Sequence, residues 1–188
     1  GCTVRNTAAA YFRSMEVAMN KTTRNIVTAA VIGALYAVLT MVLAPISYGP
    51  VQCRISEVLC ILPFFMPGTT WGLFFGCAIA NIASSAGLPD IIFGSLATLI
   101  ACLCISWCGK HNKKALACLM PVIWNGLIVG AMLTVVVAGL NPIKNFGAFA
   151  VFAGEVALGE AAVMFIAGLP LLSWLPKQKF FTDYIDKA

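Results

Sequence analysis

Long apolar stretches separated by short polar runs dominate this chain of 188 residues. An α-helix needs about 20 apolar residues to cross the hydrocarbon core of a bilayer, and several stretches reach that length. The pattern predicts an all-α integral membrane protein with six transmembrane helices. These helices are predicted at residues 25–44, 55–65, 70–84, 91–107, 115–140 and 146–175.

The second and third predicted helices are short, and the strong helix breaker Pro67-Gly68 separates them. At about 1.5 Å per residue, the second falls well under the roughly 30 Å of the hydrocarbon core, so the loop that begins at Pro45 would have to complete it. Non-helical backbone at that depth is tolerated only where it is buried in protein or lines a cavity. We therefore predict a pocket near residues 45–57.

The composition agrees with a membrane protein and gives its orientation. Hydrophobic residues make up 61% of the chain and charged residues 10%, against about 25% charged residues in soluble domains. The net charge of +5 does not indicate a nucleic-acid partner, because the basic residues cluster between the apolar stretches. The positive-inside rule then places both termini in the cytoplasm. The predicted cytoplasmic side carries Lys21, Arg24, Lys110, Lys113, Lys114, Lys177 and Lys179, and the outer side carries Arg54 and Lys144.

Two simple predictions concern the ends of the chain and its cysteines. Residues 1–18 lack the long apolar core of a signal peptide and precede Met19, so we expect a dispensable arm there and a single membrane domain over residues 19–188. Most of the eight cysteines lie inside apolar stretches, where a thiol behaves as a small hydrophobe. We predict neither a disulfide framework nor a metal site, and no cofactor.

Arg54 and Glu57 are charged residues at a membrane boundary. Each charge costs about 2.5–3.5 kcal/mol at the centre of a membrane helix, so intramembrane charges are functional candidates by default. Spaced three apart, the two side chains would share a helix face and pair. In the alternative interpretation, the Arg54 side chain only extends to the outer membrane interface, with Glu57 as its counter-ion. The neighbouring loop with Tyr48 and Gln52 favours a ligand site.

Other polar residues inside the predicted helices allow two interpretations each. Asp90 either caps the fourth helix or contacts a ligand. Asn81 and Asn125 are either ligand contacts or hydrogen-bonding links between helices. Glu155 and Glu160 lie about 140° apart around the sixth helix, so both cannot face one pocket directly. Of these two we select Glu155 for the ligand and expect Glu160 to make a hydrogen bond between helices.

Small residues form a stripe on the first helix at positions i, i+3, i+4 and i+7. They are Ala30, Gly33, Ala34 and Ala37. Such a stripe lets another helix approach closely, either from the same chain or from a partner subunit.

The usual motifs of ATP hydrolysis and of nucleophilic or zinc catalysis do not occur in the sequence. It has no Gly-x-x-x-x-Gly-Lys-Ser/Thr phosphate loop, no Gly-x-Ser-x-Gly elbow and no His-Glu-x-x-His, and its one histidine, His111, lies among lysines. We therefore predict no catalytic residues, and an ATP-driven mechanism would need an ATPase on another chain.

Four segments of the sequence carry distinctive motifs, namely residues 45–57, which contain Gln-x-Arg-Ile-Ser-Glu, and residues 88–98, 125–130 and 168–172. These segments resemble the QueT family of membrane transport proteins. Cys53 stands where an aromatic residue is common in that family's motif. Members of this family are substrate-binding (S) components of energy-coupling factor (ECF) transporters, associated with queuosine precursors.

The resemblance implies a six-helix bundle in the bacterial plasma membrane with a ligand site open to the outside. It also implies a complex with a transmembrane coupling protein and two cytoplasmic ATPases. S components meet the coupling protein partly through an Ala-x-x-x-Ala pattern on the first helix, which Ala30 and Ala34 match. This favours the partner interpretation of the small-residue stripe.

The implied deazaguanine ligand suits the polar residues. Carboxylates accept its paired N–H donors and attract the cationic amine of queuine or of the aminomethyl precursor, roles for which Glu57, Asp90 and Glu155 are candidates. Its carbonyl suits Arg54 or Gln52. Aromatic rings would stack on the heterocycle. The full predicted ligand-binding set is Tyr48, Gln52, Arg54, Glu57, Asn81, Asp90, Phe93, Ser95, Asn125 and Glu155, with Trp124 as a further aromatic candidate.

Three alternatives stay open at this stage. An autonomous secondary carrier would use Glu155 or Glu160 as a proton relay. An S component for a different vitamin would keep the fold but change the ligand. A small membrane enzyme would need an acid or base beside a nucleophile or metal, and the sequence offers none.

Overall fold

The computed structural model describes residues 21–47 and 53–186, and within these ranges the chain forms helices and connecting turns without a strand. The α-helices are α1 (Lys21–Val42), α2 (Thr69–Ala80), α3 (Ser95–Lys110), α4 (Lys114–Val136), α5 (Phe146–Val163), α6 (Leu169–Trp174) and α7 (Lys179–Asp186). A short helical turn, Ala44–Ser47, follows α1. Shorter 3₁₀ helices occur at Ile55–Phe64, Asn81–Ala83 and Leu175–Lys177, and π-helical turns at Asp90–Gly94 and Met164–Gly168.

Four helical segments in the described part of the chain are long and apolar enough to cross a membrane. They are Thr22–Val42, Asp90–Lys110, Lys114–Val136 and Phe146–Lys177. Large apolar side chains lie on the outside of these helices, as expected where lipid is the solvent. The structure thus confirms an all-helical fold with several membrane-length helices in the described residues. The helices Ile55–Phe64 and Thr69–Ala83 are shorter, so a total of six membrane spans stays a prediction.

Glycines allow two helix pairs to pack backbone against backbone. A Cβ atom added to Gly72 would overlap the carbonyl group of Ala29, and one added to Gly76 would overlap that of Gly33. At Gly130, an added Cβ would lie 2.6 Å from the Cα atom of Ala153. The Gly-x-x-x-Gly spacings on α2 and α4 therefore serve close helix packing, of α2 with α1 and of α4 with α5.

The helical segments differ from the predicted ones mainly where their hydrogen bonding becomes irregular. We predicted one continuous helix at residues 146–175, but a π turn at Met164–Gly168 interrupts it just before Pro170. Proline has no N–H to donate to the carbonyl group four residues earlier, which disturbs the regular helix at this point. Pro45 lies inside a helical turn instead of opening a loop, and α4 ends at Val136 instead of residue 140.

The contacts place the N-terminal end of α1 and the C-terminal helix α7 at one end of the bundle. The hydroxyl groups of Thr28 and Tyr184 are hydrogen-bonded, and the rings of Phe65 and Phe181 pack edge to face at 5.3 Å. Gly109, at the end of α3, touches the backbone of Phe64 at the same end. The helical segments that end there begin near Arg54 and Asp90. These two residues therefore lie toward the opposite end of the bundle.

Candidate functional site

A buried ion pair joins Arg54 to Asp90 near that opposite end of the bundle. Arg54 precedes the 3₁₀ helix with an extended backbone, and its Nη2 donates to Asp90 Oδ2 at 3.2 Å and to Oδ1 at 3.4 Å. The side chains are 4% and 0% exposed. Asp90 makes no capping hydrogen bond and forms part of the π turn, so its carboxylate serves the ion pair and not a helix N-terminus.

Glu57 lies one turn further along the same 3₁₀ helix and is completely buried. Tyr36 of α1 donates its phenol proton to Oε1, and the thiol of Cys60 donates to Oε2 at 3.0 Å. The Thr98 hydroxyl of α3 lies 3.5 Å from Oε1. Three helical segments therefore hold this carboxylate, and both of its oxygens accept hydrogen bonds.

Asn81 and Gly94 complete the surroundings of Asp90. The Asn81 side chain donates from Nδ2 to the Asp90 carbonyl oxygen at 2.9 Å, while its Oδ1 is buried without a hydrogen-bond partner in the described structure. A Cβ added to Gly94 would lie 2.6 Å from Asn81 Nδ2 and 2.7 Å from Asp90 Oδ1. Only glycine leaves room for both polar groups here. We refer to Arg54, Glu57, Asn81 and Asp90, with the groups that bind them, as the polar cluster.

Several members of the polar cluster were missed in the sequence. Tyr36 was missed because a single tyrosine in an apolar helix is usually a core residue. The available signal was that a buried phenol requires a partner, and that Thr40 lies four residues later on the same helix face. The Thr40 and Ser56 hydroxyls are 2.6 Å apart, and the Cys77 sulfur lies 3.9 Å from Arg54 Nη1.

Glu160 and Asn125 form a second buried polar pair between α4 and α5. Asn125 donates from Nδ2 to Glu160 Oε1 at 2.8 Å, and the two side chains are 4% and 2% exposed. The expected hydrogen bond between helices is therefore present. Glu160 Oε2 is buried and has no partner in the described part of the chain. Glu155, which we had selected for the ligand, is only partly buried.

The remaining predicted ligand contacts that the structure describes make no hydrogen bond to this cluster. Phe93 is 45% exposed, and the hydroxyl of Ser95 donates to a backbone carbonyl group of its own helix. Trp124 is partly buried. Tyr48 and Gln52 lie outside the residues that the structure describes, as does the predicted arm at residues 1–18.

The predicted stripe of small residues on α1 is divided between two faces. Gly33 packs against α2, and Ala37 is buried within the chain. Ala30 and Ala34 are exposed. Only these two alanines are accessible to another protein in this conformation.

The chemistry of the polar cluster favours binding. A buried arginine and carboxylates in an otherwise apolar bundle can recognise the N–H donors and acceptors of a small polar molecule. Among the described residues, no group of three or more His, Cys, Asp or Glu side chains is arranged to hold a metal ion. The cluster side chains are at most 4% exposed, so a ligand can enter only if the surrounding segments separate.

Comparison with known proteins then identifies the family. The sequence profile described as "QueT transporter" matches residues 26–177, which is most of the chain. The chain belongs to the QueT transporter family. This confirms the resemblance seen in the sequence, and the family is one of transporters, not of enzymes.

One curated relative of this QueT family member is the "Queuosine precursor transporter QueT" of Lactococcus lactis subsp. cremoris (strain MG1363). It is 44% identical over 80 residues, which are 42% of this chain and 47% of the relative. The matched region thus spans about half the length of that relative. No solved structure matches the chain significantly.

Proposed function

We propose that this protein is the substrate-binding S subunit of an ECF-type importer that brings a queuosine precursor across the bacterial plasma membrane. The observation that carries the proposal is the polar cluster, in which Arg54, Glu57, Asn81 and Asp90 come together from three segments of an otherwise apolar bundle. Each intramembrane charge costs free energy, which a binding role explains. The family membership and the name of the relative support a queuosine precursor as the cargo.

The ligand would occupy the polar cluster after the surrounding segments open. A deazaguanine edge offers paired N–H donors, which a carboxylate such as Glu57 or the open oxygen of Asn81 accepts. Its ring carbonyl suits the guanidinium group of Arg54. We expect the π turn at Asp90–Gly94 to move when the site opens, because such turns interrupt regular helix hydrogen bonding and occur frequently at functional sites.

The proposed topology has six spans, with the two short helices completing the set and both termini in the cytoplasm. It is supported by the contacts that gather α7, the start of α1 and the end of α3 at one end of the bundle. Basic residues are concentrated there, including Arg24, Lys110 and Lys177, and basic loops are preferentially cytoplasmic. The polar cluster then faces the outside.

The proposed partners are a transmembrane coupling protein and two cytoplasmic ATPases. The coupling protein would contact the exposed Ala30 and Ala34 of α1, because small side chains let a partner helix approach the backbone. Gly33 and Ala37 would support this face only indirectly, through their packing inside the chain.

The test is uptake of labelled precursor by cells that express the chain with or without the coupling protein and ATPases. We expect uptake only with all components. Ala34→Phe should abolish uptake and leave binding by the purified protein unchanged, whereas Ala150→Phe, an exposed alanine on α5, should affect neither. Glu57→Gln should reduce both. Uptake by the chain alone would refute the subunit assignment and favour an autonomous carrier.

A further inference from the structure

Buried acidic groups outnumber buried basic groups in the described part of the chain. The carboxylates of Glu57, Asp90 and Glu160 are 0%, 0% and 2% exposed, and the guanidinium group of Arg54 is 4% exposed. The four groups together therefore carry a net charge of −2 when all of them are ionised. Since a buried charge without compensation costs several kcal/mol, the imbalance is relieved when a carboxylate takes up a proton or when a cationic ligand binds.

The three carboxylates differ in how well the protein satisfies them. Asp90 is paired with Arg54, and both oxygens of Glu57 accept hydrogen bonds. Glu160 accepts one hydrogen bond, on Oε1 from Asn125, and its Oε2 is buried without a donor among the described residues. Glu160 is therefore the carboxylate with an open position.

Glu160 lies on a helix that packs next to the polar cluster. The 3₁₀ helix that carries Glu57 contacts both α5 and the π turn that follows it. Asn81 Oδ1 adds a second buried acceptor without a partner. A ligand that contacts the polar cluster can thus reach Glu160 with a flexible substituent.

We propose that Glu160 binds a protonated amine of the ligand through Oε2, while Asn125 fixes the orientation of the carboxylate. This inference rests on the proposed function and names one group that the substrate must carry. An ammonium group has three N–H donors and a positive charge, so it supplies both features that Glu160 lacks. It also assigns to Glu160 the ligand contact that we had predicted for Glu155.

Calorimetric binding measurements on the purified chain test this assignment with two probes. One is the deazaguanine ring with an aminomethyl substituent, and the other is the same ring with a neutral nitrile. Glu160→Gln keeps the oxygen that accepts from Asn125 and removes the charge. We expect it to weaken binding of the amine about 10- to 100-fold and to change binding of the nitrile by less than about threefold.

Two further variants make the result specific. Glu155→Gln, on the same helix, should leave both affinities unchanged. Glu160→Asp keeps the charge, so it should retain more of the preference for the amine than Glu160→Gln. Unchanged nitrile binding also shows that the variant is folded.

Three results would overturn the assignment. Equal losses for both probes in Glu160→Gln would show that Glu160 only supports the fold. The assignment also fails if neither affinity changes, or if Glu155→Gln has the selective effect. A wild-type protein that binds neither probe would instead refute the proposed substrate, and the amine contact together with it.

Discussion

The Arg54–Asp90 pair can be tested by a double-mutant cycle. The perturbation is to compare Arg54→Met and Asp90→Asn with the double variant. Because the pair is 4% and 0% exposed, removing one partner leaves the other charge buried, at a cost of about 3–5 kcal/mol. For a chain of this size, about 1 kcal/mol corresponds to a 2–4 °C change in melting temperature. Each single variant should therefore melt about 6–20 °C lower.

The assay is thermal unfolding of the purified protein in detergent. The double variant should melt no lower than the worse of the two single variants, because it leaves neither charge without its partner. Lys144→Met, which changes an exposed charge, serves as the control and should shift the midpoint by less than about 2 °C. Single variants that melt like the wild type, or losses that simply add in the double variant, would refute the importance of this pair.

Three other variants test separate contacts. Gly94→Ala should greatly weaken ligand binding in the calorimetric assay, because its Cβ would displace two polar groups of the cluster. The control Gly154→Ala, whose Cβ has no neighbour within 4 Å, should bind the ligand normally. Tyr36→Phe removes a hydrogen bond to a buried carboxylate and should lower stability by about 1.5–3 kcal/mol, measured as a melting shift of roughly 3–12 °C; an unchanged midpoint would contradict that contact. Gly72→Ala should prevent α1 and α2 from packing and reduce the yield of monodisperse protein in size-exclusion chromatography, whereas Gly68→Ala, in open space, should not.

The helical fold could be predicted from the sequence because it depends on local pattern. Apolar length gives the membrane helices, and the Gly-x-x-x-Gly spacing gave the close approach at Gly72 and Gly76. The interruption before Pro170 was less predictable, because a proline there is compatible with either a helix end or a π turn.

The candidate site was predicted only in part because its contacts are not local. Arg54 was expected to pair with Glu57, three residues away, and nothing in the sequence indicated its ion pair with Asp90, 36 residues along the chain. Sequence spacing gives the relative angle of two residues on a helix but not the rotation of that helix against its neighbours. For this reason the sequence could show that Glu155 and Glu160 face different directions, but not which of them is buried.

Mass spectrometry of the small molecule that co-purifies with the protein tests the central claim most directly. The account predicts a deazaguanine-type queuosine precursor bound to the wild type, and its loss from Glu57→Gln purified in the same way. A flavin, thiamine or another vitamin in its place would contradict the proposed substrate. Retention of the precursor by the variant would contradict the polar cluster as its site.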